Sequence, residues 1–234
     1  MKFVSVIQHT SADYLGYLED HLEGRQVRFT YFRPFTEDGG LPIFNVIGDG
    51  LVLLGGGPWG AGGGRDVPTL AEEVSLVRAC FMTGVPVIGF GLGAQILALA
   101  ADGKVEPAPL TFKAGWATRI SDDALGGYLP ERFPNVVYMR DRPVPPDYAK
   151  ILATDEDGYP AVFQIGENMF GFSGHPGMKR AMVEDLIMEF EEAPKNPGPE
   201  LEKLGKMRDE IEDSLLGIMT GLVQKTGLIG LKKD

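Results

Sequence analysis

The chain has 234 residues, 44% of them hydrophobic, which suits one domain with a substantial core. Its 22 Lys+Arg against 33 Asp+Glu leave a formal charge of -11 with no basic cluster, so a nucleic-acid backbone would be repelled. A single cysteine excludes an internal disulfide, no apolar run reaches bilayer length, and MKFVSVIQH reads as a strand rather than a signal peptide. A cytoplasmic protein that binds neither membrane nor nucleic acid is the expectation.

Phe3 to Ile7 alternates as a first strand, and His9 to Ser11 lies just past its carboxyl end, the side where open α/β sheets hold their ligands. His9 is therefore a candidate ligand contact, or else a histidine bonded to its own loop. Leu15, Leu18 and Leu22 mark an amphipathic helix ended by Gly24, and Val27 to Phe32 reads as the next strand. Leu51 to Leu54 is a buried parallel strand that runs into Gly55–Arg65, GGGPWGAGGGR. That segment has neither the G-K-[ST] of a Walker loop nor a G-x-G-x-x-G helix start. Its Trp59 reads as a lid or as packing. Thr69 with Glu72 makes a capping box, Leu70, Val74, Val77 and Phe81 form one helix face, and Gly84 stops the helix. Cys80 lies beside that face, where a buried cysteine behaves as a small hydrophobe.

Val85 to Ile88 then meets the corner Gly89-Phe90-Gly91-Leu92-Gly93 and enters the helix-forming QILALAA, giving strand, elbow and helix. In nucleophile-elbow enzymes such a corner holds up a Ser or Cys, with the next N–H aimed at an oxyanion. Here it holds Gly91. Beyond it, Lys104-Val105, Trp116 to Ile120, Val136 to Met139, Ile151 to Thr154, Ala161 to Ile165 and Met169 to Phe172 read as short strands. Arg140 and Arg142 are either ligand contacts or a solvated turn paired with Asp141. Met182, Val183, Leu186, Ile187 and Phe190 stripe a closing helix; Ala193–Pro199 has linker composition. Leu201, Leu204, Ile211, Leu215, Ile218 and Leu222 stripe a C-terminal helix that either folds back on the domain or joins a homo-oligomer.

Three blocks in order resemble the class I, triad-type glutamine amidotransferases, particularly stand-alone proteins similar to the amidotransferase domain of GMP synthase. Leu51–Pro58 resembles the strand and GGP oxyanion loop, Gly89–Gln95 the G-x-C-x-G elbow, and Gly171–Gly177 the G-x-Q-F-H-P-E block. Lys113–Trp116 resembles the E-[IV]-G-W block with lysine in the glutamate's place, and Met139–Arg142 stands where relatives often carry a histidine block. The resemblance implies a flavodoxin-like, doubly wound α/β fold with a mostly parallel sheet over residues 1–193; residues 194–234 lie outside it and read, from proline spacing and periodicity, as linker and C-terminal helix. It implies no cofactor and no metal. In the family a cysteine attacks the glutamine amide, a histidine moves the proton, a glutamate holds the histidine, and ammonia passes to a synthase partner. His175 matches that histidine, while Gly91 and Gly177 fall on the cysteine and glutamate positions. Backbone at Gly56, Gly57 and Leu92 corresponds to the oxyanion site, and Gln95 to a glutamine contact. The expectation is a protein without glutaminase chemistry, acting as a non-catalytic subunit or small-molecule-binding module with a partner. The other reading is an enzyme of different chemistry, using His175 as a general base on a small amide or acid.

Overall fold

A computed structural model describes residues 1–228. Its first unit is β1 (Lys2–Ile7), α1 (Leu18–Gly24) and β2 (Val27–Phe32), with the two strands paired in parallel. β3 (Gly50–Leu53), α2 (Leu70–Thr83), β4 (Val87–Phe90) and α3 (Leu92–Ala100) continue the winding. Seven short strands follow: β5 (Lys104–Glu106), β6 (Thr111–Arg119), β7 (Arg132–Met139), β8 (Arg142–Val144), β9 (Lys150–Asp155), β10 (Pro160–Ile165) and β11 (Met169–Phe172). The chain closes with α4 (Arg180–Glu189), α5 (Gly198–Lys206) and α6 (Arg208–Lys225).

The main sheet has the order β2-β1-β3-β4-β11-β10-β9-β6-β7, and β5 with β8 forms a separate ribbon. Pairing is parallel from β2 through β11, the flavodoxin-like order, and antiparallel beyond it. Alternation along the parallel strands builds two cores. Val4, Val6, Val52, Leu54, Ile88 and Phe90 face α1, α4 and the C-terminal helices, whereas Ile7, Leu51, Leu53 and Val87 face α2 and α3. That two-sided burial explains why β3 and β4 read as unbroken apolar runs.

Several local expectations need correction. α1 starts at Leu18, and Leu15 is buried in the loop before it. Thr69 forms no capping bond at the start of α2 and instead donates to Glu73 Oε1 at 2.6 Å. The buried positions of α2 are Glu73, Val77 and Cys80; Phe81 is 45% exposed. The tail is two helices broken at Met207, with α5 beginning inside the proline-rich stretch and Pro199 in its first turn. α5 packs on β6 and α6 on β7, α1 and the turn at 124–127, with Glu200 accepting the Ala114 N–H at 2.8 Å. Leu204, Ile211, Leu215, Ile218 and Leu222 are buried in this contact, so of the two alternatives for the stripe the structure shows the one in which it folds back on its own domain. Residues 229–234 of that tail lie outside the described residues. No helix among the described residues is long and apolar enough to cross a membrane.

Candidate functional site

Four neighbouring parallel strands end together and deliver the motif residues. His9 and Asp13 follow β1, Gly55–Gly57 follow β3, Gly91 follows β4 and His175 follows β11. This is the carboxyl-end crevice where open α/β sheets place their sites.

The elbow keeps the backbone that a nucleophile corner requires. Gly91 has φ 53° and ψ -111°, a conformation that strains any residue with a side chain. Its glycine neighbours are dictated by crowding: a Cβ at Gly89 would lie 2.4 Å from Gly93 O, and one at Gly93 2.3 Å from Leu53 O. At Gly91 the nearest atom to a Cβ is Gly55 Cα at 3.5 Å, an ordinary contact. Space for a side chain remains there. Gly56 lies against Leu92, where a Cβ would come 2.4 Å from Leu92 Cδ2, and Gly57, with φ 55°, sits beneath Phe190 and Leu186. The glycine loop and the first residue of α3 are thus adjacent, with the end of α4 laid over them.

His175 is buried, and both ring nitrogens are bonded to backbone. Nε2–H donates to the Tyr14 carbonyl at 2.8 Å, and Nδ1 accepts the Gly177 N–H at 3.1 Å, which fixes a neutral tautomer. Burial pushes its pKa down to about 4. Both ring nitrogens are therefore committed to backbone groups, which leaves neither turned toward a bound water. At Gly177 a Cβ would stand 2.2 Å from Leu18 Cδ1 and 3.2 Å from Leu15 O. Leu18, the first residue of α1, and the loop before it occupy the volume a glutamate side chain would need, and Tyr17 N–H donates to Gly177 O at 3.0 Å.

That loop carries a polar cluster the motifs did not reveal. His9 Nδ1–H donates to Gly55 O at 3.1 Å and Nε2–H to Glu73 Oε2 at 2.9 Å, while Thr69 supports the other Glu73 oxygen. Burial alone would lower the His9 pKa, but Glu73, with smaller contributions from Gly55 O and Asp13, turns the net shift upward, and both nitrogens face acceptors, the geometry of an imidazolium. No ring nitrogen of His9 is left for a ligand, and its bonds reach α2 and the β3 loop rather than its own loop. Asp13 lies 1% exposed beside Gly55, where a Cβ would come 2.0 Å from Asp13 Oδ2. Burial pushes its pKa up to about 7. The helical spacing of Glu73, Val77 and Cys80 was the signal for the first part of this cluster. Asp13 has no comparable signal, because residues 10–14 look like an ordinary polar helix start.

The remaining expected contact residues bond to one another and to the surrounding loops. Gln95 donates to the Arg140 carbonyl at 2.6 Å. Arg140 donates to Pro58 O at 2.9 Å and pairs with Glu192, which also takes Arg65 at 2.7 Å. Glu189 accepts the Ser11 and Ala12 N–H groups at 3.2 and 3.3 Å. Asp141 does not pair with the arginines; its carboxylate accepts Gly62 N–H at 2.9 Å and Ala108 N–H at 3.0 Å, and Arg142 stacks on Tyr159. Cys80 is remote in α2 and buried, which raises its thiol to about 11 and leaves it unreactive. No group of three or more His, Cys, Asp or Glu arranged to hold a metal occurs among the described residues.

Strand order and the glycine corner define a flavodoxin-like α/β protein built around a nucleophile-type elbow. The chain belongs to the family described as glutamine amidotransferase class-I, whose model matches residues 20–185. It is 25% identical over 181 residues to a glutamine-hydrolyzing GMP synthase subunit of Methanothrix thermoacetophila, covering 75% of this chain and 88% of that one. A glutamine amido transferase structure from Methylobacillus flagellatus superposes with a TM-score of 0.80 at 23% identity, over 96% of this chain and 95% of that one. A glutamine amidotransferase from Thermotoga maritima gives 0.78 at 22% identity, over 96% and 98%. These two share the fold.

Proposed function

We propose that this chain does not hydrolyse glutamine and works as a non-catalytic, small-molecule-binding or regulatory subunit beside a partner protein. The observation that carries the proposal is Gly91: the corner keeps its strained backbone and its space, yet presents no atom that attacks a carbonyl. Without a nucleophile no thioester forms. The histidine supports the same reading. In a nucleophile–histidine–acid triad Nε2 faces the nucleophile and Nδ1–H the acid. In this chain Nε2–H is spent on Tyr14 O, Nδ1 is an acceptor, and Leu18 occupies the acid's space.

A partner is supported by the relative's name, which makes that protein one subunit of a synthase. The bonds of Glu189 and Glu192 support a non-catalytic role, since they hold the loops at the strand ends with the protein's own side chains. Two experiments test the reading. Incubation with a glutamine-analogue electrophile leaves the chain unlabelled, and purification from the native host brings a synthase-like protein with it. Labelling at any residue of the crevice would overturn the first half, and recovery of the chain alone at native concentration the second.

A further inference from the structure

Three buried side-chain atoms have no hydrogen-bond partner among the described residues: Asp13 Oδ1, Gln95 Oε1 and Tyr138 Oη. Asp13 and Tyr138 line the same small cavity, together with Gly91, Phe90, Ser173 and His175. Its volume is about 10 Å³, which matches a single water-sized molecule. A cavity with apolar walls alone would stay dry, but two orphaned oxygens call for an occupant that donates hydrogen bonds.

The kind of donor follows from what surrounds Asp13. An ionised carboxylate only accepts, and burying one without a cation in contact is costly. The closest imidazolium, His9, has both N–H groups spent on Gly55 and Glu73. His175 is neutral and its one N–H goes to Tyr14. Asp13 makes no ion pair among the described residues, and besides His9 the charge that acts on it is the like-charged Glu189. Ammonium combines the missing properties: a positive charge, several N–H donors and the size of a water. Asp13 Oδ1 and Tyr138 Oη have no other partner, and Ser173, whose hydroxyl donates to Ala161 O at 3.4 Å and keeps its oxygen lone pairs, lines the same cavity. An alkali cation of the same charge wants a fuller shell of oxygens than this cavity offers.

We propose that the cavity beneath the bare elbow is a one-molecule ammonium site, held by Asp13 with the hydroxyls of Tyr138 and Ser173. This does not depend on whether the chain hydrolyses glutamine. The test is thermal unfolding of the full chain at pH 8 in ammonium, potassium and tetramethylammonium chlorides at matched ionic strength. Ammonium alone should give a saturating rise of about 2 °C or more. The rise should vanish in Asp13→Asn and shrink in Tyr138→Phe, which keeps the test open if the first variant folds poorly. An equal rise in potassium, an unchanged rise in Asp13→Asn, or no rise in ammonium would overturn the assignment and leave the cavity to a water.

Discussion

Gly91 and Gly177 are glycines for different physical reasons. Gly91 has positive φ but open space, whereas at Gly177 a Cβ meets Leu18 at 2.2 Å. Gly91→Cys is therefore expected to fold with a loss of about 1–3 kcal/mol from backbone strain alone. Gly177→Glu is expected to lose well over that, because it drives a charged side chain against buried Leu15 and Leu18, at the start of α1. Denaturant melts of the two variants check the order; equal losses would contradict it. Gly91→Cys should still release no ammonia from glutamine, because His175 offers it no free nitrogen.

Two buried groups at this site also set opposing pH dependences. His175, lowered to about 4, binds fewer protons folded than unfolded, so its contribution is full above about pH 6.5 and is lost as pH falls toward 4. Asp13, raised to about 7, binds more protons folded than unfolded. Its contribution is full below about pH 4 and is lost as pH rises through 7. Asp13→Asn should therefore gain stability relative to the parent between pH 5 and pH 8, by on the order of 1–3 kcal/mol. Thermal melts at the two pH values in sodium buffers measure this, and a parent and variant that move in parallel would contradict it.

At the scale of elements, the strands that form the crevice were legible because β1, β3, β4 and β11 are short apolar runs that end in glycine or histidine blocks. The segment between β1 and α1 was not. Leu15 has the spacing of α1, yet it is buried in a loop whose carbonyls serve His175 and Leu18 rather than a helix. On α2, apolar residues drew the face toward Phe81, whereas the buried side includes Glu73 because His9 and Thr69 satisfy its carboxylate. In the tail the stripe was visible, but neither the break at Met207 nor what the stripe packs against could be read from periodicity. Leu215 is fully buried between α6 and the domain. Leu215→Ala is expected to cost about 2–5 kcal/mol and to lower Tm by several degrees without changing the molecular mass in solution. A variant as stable as the parent, or a change in mass by light scattering, would show the helix packed elsewhere.

At the scale of the whole molecule, a class-I amidotransferase fold lines the crevice at its strand ends with contacts between distant segments of the chain. The loop after β1 supplies Asp13 and crowds Gly177, the end of α4 lies over Gly57, and Glu192 joins Arg65 to Arg140 across the mouth. The fold followed from motif order, since each block sits at a strand end. The state of the crevice depended on long-range contacts such as His175 with Tyr14 and Glu189 with Ser11, which no local pattern encodes. The most direct measurement is ammonia release from saturating glutamine by the purified chain, alone and with any protein that accompanies it from the native host. The expected result is no release attributable to this chain in either case; release that disappears in His175→Ala would contradict the account.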